Sequence, residues 1–346
     1  MPAQFSYLLR RLFPNVWSGF LSLMAIVALL WLGQKLISWG LVNAVFIGSA
    51  EECRTVSGAC WAVVSHRWRL MFFGLYPYSE HWRSGLACIL LIETIILSCL
   101  PFFWNFKRIT ALWLINASLF LIVMRGGILG LRVVPEEQWG GLTLSIFIFV
   151  GSGLIGMPLA IGLALMRRSR LFLVAKGTGL FIDTVRSLPL VTILFTVAVL
   201  LPIIAPDFSG TKLTRVVAAM ALFFAVYQAE IIRSAIQFLP AGQDEAAQAL
   251  GLNYWQRMRR IILPQAFRHA LPPTVSQFAI NFVEVALIII IGMFDFLSSG
   301  NAAYGNGEWA FAYREVYIFM AFTYFVFVFS LSRYGAYLEK RITLKN

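Results

Sequence analysis

Long apolar runs alternate with short polar breaks along the whole chain. A helix that crosses a bilayer needs about 20 mostly apolar residues. Eight runs meet that need, at about 17–39, 85–105, 109–131, 141–166, 178–204, 215–237, 272–294 and 316–338, and each predicts one span. Glycine and proline inside several runs are compatible with membrane helices, because neighbouring helices satisfy the freed backbone groups. Pro189 should kink the fifth span. The segment at about 40–84 mixes Trp, Arg and Cys and reads as a long loop. Residues 298–315, from Ser298, Ser299 and Gly300 through Gly305 and Gly307, read as a second loop of turns. No small-residue cleavage site follows the first apolar run, which therefore reads as a retained signal anchor.

Composition agrees with the pattern. Sixty per cent of the 346 residues are hydrophobic and 13% are charged, the balance of a polytopic all-α membrane protein rather than a soluble one. The net charge of +12 does not form a single basic face of the kind that nucleic acid requires. Instead, Arg10-Arg11, Lys107-Arg108, Arg167-Arg168, Arg170, Lys176, Arg257, Arg259, Arg260, Arg268 and Lys340-Arg341 flank apolar runs, where topology and anionic membrane lipid explain them. All of them fall on one side if the N-terminus is cytoplasmic, so both termini are predicted inside. The outer loops keep a mixed set: Glu51, Glu52, Arg54, Glu136, Glu137, Asp207 and Lys212. Cys88 and Cys99 lie in an apolar run and read as packing residues. Cys53 and Cys60 lie in the outer segment, where they can close a small disulfide loop or remain thiols; spacing alone leaves both open. Metal ligation is not expected, since His66 and His81 lack ligand spacing to those cysteines. A boundary near residue 135 separates three spans from five.

Ionisable residues within spans cost roughly 2.5–3.5 kcal/mol each to insert, so each needs a reason. Glu230 and Arg186 lie about 10 and 12 Å from the cytoplasmic ends of their helices. They share a depth, with Asp183 one turn from Arg186. Their structural reading is an interhelical ion pair. Their functional reading is a substrate path in which the carboxylate meets an ammonium group and the guanidinium a carboxylate. Gln277, Asn281 and Glu284 form one polar helix face near the bilayer midplane, either the wall of an aqueous cavity or a hydrogen-bonded core. Glu93 and Arg125 suggest a structural pair or snorkelling. Gly151, Ser152 and Gly153 offer a hydroxyl within a span. A hydrolase would need a base beside it, and His66, His81 and His269 all read as loop residues. The glycines Gly151 and Gly153, with Gly156, suit close helix approach.

The clearest interruption is the polar stretch from Pro240 to Pro264. Pro240, Ala241 and Gly242 break the preceding helix. Asp244 and Glu245 then occupy a first turn, where carboxylates offset the helix dipole. Ala246, Leu250 and Tyr254 recur at four-residue spacing, while Ala247 and Ala249 keep the surface low. Gly251 ends or bends the helix. The spacing Glu245-Ala246-Ala247, Gly251, Ile261, Leu263-Pro264 resembles the cytoplasmic signature loop of ABC importer permeases of type I fold. The continuation to Leu271-Pro272-Pro273 is similar to the polar amino-acid branch. Gly58 to Trp61, Phe73 to Pro77, and Ser332 to Tyr334 resemble its general L-amino-acid permease subunits. Asp183 and Ser187 stand where the family usually has Glu and Gly. Val283-Glu284-Val285-Ala286-Leu287 departs from the family's Lys-Asp-Thr-Ser/Thr-Leu.

The resemblance implies an eight-helix permease subunit, with a three-helix extension at 1–135 and a five-helix core at 136–346. It implies a coupling helix built from Gln243, Asp244, Glu245, Ala246, Ala247, Ala249, Leu250 and Gly251 that docks on an ATPase. No Gly-x4-Gly-Lys-Ser/Thr phosphate loop is present in the chain, so no cofactor is expected here. ATP and Mg would be bound by a partner ATPase dimer. The resemblance also implies a second, homologous permease subunit, a periplasmic amino-acid-binding protein and an L-amino acid cargo in the bacterial inner membrane. An ion-coupled carrier or channel is the rival, which would move cargo as a lone chain without nucleotide.

Overall fold

The protein is described by a computed structural model covering residues 15–208, 210–305 and 307–343. The expected topogenic pair Arg10-Arg11 lies outside these residues. The described residues form helices joined by short loops, with two isolated bridges and no strands. In chain order the helices are α1 Val16–Ile37, α2 Ala50–Thr55, α3 Ala62–Phe73, α4 His81–Ser98, α5 Phe106–Arg125, α6 Gly141–Arg167 and α7 Phe172–Ser187. They continue as α8 Leu190–Ile204, α9 Lys212–Phe238, α10 Gly242–Ala249, α11 Tyr254–Ile291, α12 Phe296–Tyr304 and α13 Tyr313–Thr343. Helix α11 holds one π-turn at Met258–Ile262 and tightens to 3-10 geometry at Val285–Ile291.

Two compact units emerge. Among the described residues, one holds the chain up to Trp68 together with Ala303–Ile318, and the other holds Arg69–Ala302 with the chain from Phe319 onward. In the first unit, no residue of α1 is buried. The segment expected as a long loop is largely helical. Ser49 and Glu52 form a capping box on α2, with Glu51 and Glu52 in the first turn favouring its dipole. Mixed Trp and Arg hid that helical signal. A disulfide joins Cys53 to Cys60, with Cα atoms 5.5 Å apart. The returning segment is pinned here too. The Cys60 amide donates to the buried Glu315 carboxylate at 3.0 Å, and the Arg54 guanidinium lies 5.3 Å over the Phe311 ring.

The second unit is built on α6, α9 and α11. Small residues let α6 and α9 touch: a Cβ on Gly156 would meet Phe224 at 2.7 Å and the Ala221 carbonyl at 2.9 Å. Gln228 donates to Thr274 Oγ1 at 2.7 Å, tying α9 to α11, and Asn281 donates to Ser152 Oγ at 2.8 Å, tying α11 to α6. Ser152 Oγ itself donates to the Phe149 carbonyl at 2.9 Å, so this hydroxyl serves packing. All three histidines lie in helices rather than loops. At the start of α6, Gly141 has φ +65° and its amide donates to the Phe294 carbonyl at 2.8 Å. A side chain there would run into the backbone of Phe72.

Three spans differ from expectation. The run at 178–204 is not one kinked helix: it breaks into α7 and α8, bent by 102°. Leu188 and Pro189 are extended, because proline excludes the helical conformation from the residue before it and supplies no N–H to continue the ladder. Helix α4 starts at His81 and ends at Ser98, not at 85–105. Residues 298–315 are not all turns. Asp295 accepts the amides of Leu297 and Ser298 at 3.1 and 2.9 Å, and so caps α12 through Ser298, Ser299 and Gly300.

The shift of α4 has a charged cause. Arg83 has a fully buried side chain, yet its Nε donates to the Val123 carbonyl at 2.7 Å and its Nη1 to the Arg132 carbonyl at 2.8 Å. These bonds satisfy acceptors at the C-terminal end of α5, where the macrodipole also favours a cation. Tyr76 adds its hydroxyl to the Met124 carbonyl at 2.8 Å, and burial pushes its pKa up to about 12, keeping it a neutral donor. Glu93 and Arg125 are both exposed, and no ion pair joins them among the described residues. The helices α4 and α5 run antiparallel, which separates the two by about 18 Å. Replacing Arg83 with Ala should orphan these carbonyls and lower stability by about 3 kcal/mol. A depressed aggregation midpoint on heating in detergent, with Arg83→Lys intermediate, is the expected readout.

Candidate functional site

A charged junction forms where the ends of three helices meet. Arg167, the last residue of α6, reaches across to α7 and α9. Its Nη1 and Nη2 donate to the two Asp183 carboxylate oxygens at 3.0 and 3.1 Å. The same Nη1 donates to Glu230 Oε1 at 2.8 Å. Arg233, one turn along α9, donates Nε to both Glu230 oxygens at 3.1 and 3.0 Å and Nη1 to Gln237 at 2.7 Å. Arg186 stands further off, its Nη1 at 3.9 Å from Glu230 Oε2. Three guanidinium groups therefore face two carboxylates, an excess of one positive charge.

The expected Arg186–Glu230 pair is present but is the longest contact of a larger network. Asp183 pairs with Arg167, and Glu230 is held chiefly by Arg167 and Arg233. By sequence Arg167 reads as a topology signal because it flanks a span. A side chain at a helix end can serve both roles, since its long stem reaches back along apolar neighbours. Arg186 is held differently: its guanidinium lies 5.0 Å over the Tyr227 ring, and the Tyr227 hydroxyl donates to the Arg186 carbonyl at 3.3 Å. A cavity of about 580 Å³ opens beside the junction, lined by Arg186, Tyr227, Glu230, Arg233 and His269 among others.

The polar face of α11 divides by environment. Gln277 and Asn281 are buried, and the Asn281 amide is taken up by Ser152. Glu284 is half-buried, with no hydrogen bond to its Oε2, at the last α-helical residue before the tighter turn of Val285–Ile291. With Gln228 on α9 paired to Thr274 on α11, Glu284 lies about 18 Å along the bundle from Glu230. The two acidic positions belong to separate levels of the same helical bundle.

Close to the junction, α9 runs through extended Leu239 into α10. Helix α10 carries Asp244 and Glu245 in its first turn and closes where Leu250 N–H bonds Ala246 and Gly251 N–H bonds Gln248. Gly251 adopts φ +76°, a left-handed conformation that ends the helix at little cost for glycine. Gln243, Glu245, Ala246, Ala249 and Leu250 are exposed, with Leu250 at 78%. Ala247 is the exception. It is buried against the protein, so it seats α10 and is absent from the low outer surface on which it was expected. Asp244 forms an ion pair with the buried Arg257 at 3.0 Å, a partner that the sequence pattern did not single out. Tyr254 does not continue the Ala246 and Leu250 face, because Asn253 and Gln256 form a new capping box and start α11 there.

Seven of the described helical segments are long and apolar enough to cross a membrane, eight if the bent α7–α8 pair is one broken span. The fold is therefore that of a multi-pass all-α membrane protein. Residues 156–344 match the family described as binding-protein-dependent transport system inner membrane component. The chain belongs to this family of ABC importer permeases. It is 38% identical to the inner membrane amino-acid ABC transporter permease protein YhdY of Escherichia coli (strain K12), across 94% of this chain and 89% of that one. It is 32% identical to the glutamate/glutamine/aspartate/asparagine transport system permease protein BztC of Rhodobacter capsulatus, across 95% and 92%. The crystal structure of an amino acid ABC transporter with histidines superposes with a TM-score of 0.52 at 29% identity, across 58% of this chain and 92% of that one. Membership of a binding-protein-dependent system leaves the lone ion-coupled carrier or channel without support.

Energetic coupling at the junction is directly measurable. Glu230→Gln and Arg167→Gln should each lower the thermal midpoint in detergent. Their double variant should fall short of the summed losses by about 1–3 kcal/mol, since both remove the same contact. Additive losses would place the two residues in separate interactions.

Proposed function

We propose that the chain is a permease subunit of an ABC importer for L-amino acids and works by alternating access. The observation that carries this reading is α10: a short, capped helix with a low, exposed outer face of Ala246, Ala249 and Leu250, joined by only three residues to the helix that carries Glu230. Such a knob suits a groove on a separate ATPase dimer, which binds ATP and Mg and supplies the energy. A second, homologous permease completes the pore as a heterodimer, and a periplasmic amino-acid-binding protein delivers cargo. Amino-acid specificity is suggested by the names of the similar proteins, YhdY and BztC. Both chain termini and α10 lie on the cytoplasmic side in this reading. Residues 1–135 form an extension, and 136–346 form the transport core.

The charged junction lies about 12 Å along α9 from the end that leads into α10. A displacement of α10 is thereby transmitted to the Arg167, Asp183 and Glu230 contacts, which bridge α6, α7 and α9. Differential stability of those contacts in inward and outward states is the energetic requirement for coupling. Along the substrate path, Arg186, least tightly held of the three guanidinium groups, suits a cargo carboxylate. Glu230 and Asp183 complete the lower level. Gln277, Asn281 and Glu284 form an upper level, with Glu284 suited to an ammonium group.

The docking role has a direct test. Ala246→Arg places a long cation on the exposed face and should abolish uptake, with amino-acid-stimulated ATPase activity falling more than about 10-fold, while membrane insertion stays normal. Ala247→Arg should instead destabilise the subunit itself, since that methyl group is buried. Undiminished uptake by the Ala246 variant rejects the docking face.

A further inference from the structure

Away from the charged junction, α4, α6, α11 and α13 enclose an apolar groove of about 590 Å³. Its floor is aromatic: Phe282 stacks on Phe327 with centroids 3.9 Å apart, and Phe149 meets both edge-on at 5.5 Å. Its sides open outward, with Ile96 57%, Phe322 61% and Val326 46% exposed. The volume lies within the roughly 300–1,000 Å³ range of specific ligand sites, well beyond a chance packing gap.

One end of this groove is chemically distinct. Tyr334 and Cys99 line it there, the tyrosine hydroxyl donating to the Cys99 carbonyl at 3.0 Å. Beyond them Tyr337 stacks on Tyr334, and Arg341 Nη1 donates to the Tyr337 hydroxyl at 3.5 Å. The Arg341 guanidinium also lies 5.4 Å over Trp104, whose indole donates to the Ser98 carbonyl at 3.2 Å. On the neighbouring turn Arg108 lies 4.2 Å over Phe102 and donates to its carbonyl at 3.1 Å. Lys107 and Lys340, next in sequence to these arginines, are exposed, so the four cations outnumber the neighbouring carboxylate, Glu339. Aromatic rings at interfacial depth hold these cations beside the end of an apolar slot that opens sideways.

We propose that this groove is a binding site for an anionic glycerophospholipid, one acyl chain lying along the phenylalanine floor and the phosphate held by Arg108 and Arg341. The charge complementarity selects the occupant. An apolar helix from another protein would fill the slot but leave the four cations at its end unmatched. A zwitterionic lipid would satisfy the slot while adding a repelled ammonium at the basic end. Basic pockets between membrane helices are the setting in which anionic headgroups are selected. A lipid there wedges between α4 and α13, and the residues that line the groove include none from α10, from the charged junction or from the Gln277, Asn281 and Glu284 face.

The test uses the full-length chain in nanodiscs of equimolar phosphatidylglycerol and phosphatidylcholine, with p-benzoylphenylalanine in place of Phe322. Irradiation should yield protein–phospholipid adducts, identified by mass, that favour phosphatidylglycerol about 10-fold. In the Arg108→Gln and Arg341→Gln double variant that preference should fall to near one with total lipid labelling retained. Equal labelling of the two lipids in the parent protein overturns the proposal. So does capture of a peptide in place of lipid, which would identify a helix of this chain or of another subunit as the occupant.

Discussion

Glu230 is a carboxylate within a largely apolar membrane-spanning helix, and an unpaired charge there costs more than any single packing contact returns. Its neutralisation by Arg167 from α6 and Arg233 from its own helix therefore constrains how α6, α7 and α9 can meet. The Asp183 carboxylate takes the other side of the same Arg167 guanidinium, so three helix ends share a single fork of hydrogen bonds. Because the pairing is mutual, moving one helix requires a new partner for the others. That is the property a transport core needs if two arrangements are to differ by discrete contacts rather than by gradual bending.

The same economy of polar groups recurs elsewhere in the second unit. Arg83 is wholly buried but expends its donors on the final carbonyls of α5 and the turn beyond. Asn281 and Ser152, Gln228 and Thr274, and Ser84 and Thr143 each bridge two helices by side-chain hydrogen bonds. Lipid supplies no hydrogen bonds, so such groups become selective contacts between helices rather than surface decoration. Between them, Gly153 and Gly156 on α6 remove the bulk that would hold Phe278 and Phe224 away.

Helix α10 illustrates how a small element gains a definite pose. Its eight residues are too few for a stable isolated helix. Ala247 packs inward, Asp244 meets Arg257, and the left-handed Gly251 closes the C-terminus. The outer face is thereby left free of structural duty.

Much of this protein was legible in the order of its residues. Run length and the placement of Arg and Lys determined a multi-pass helical bundle, since lipid demands about 20 apolar residues whatever the packing. The acidic first turn and Gly251 likewise located α10, because capping is local chemistry. Tertiary structure decided what depends on distant partners. It made Arg167, which reads as a topology signal, the centre of the charged junction, and it placed Ala247 inside rather than outside. It also drew Arg83 into the protein. Local pattern determines whether a residue favours a helix or a bilayer; only the approach of other helices determines which charge it meets, because that energy falls steeply over a few ångströms.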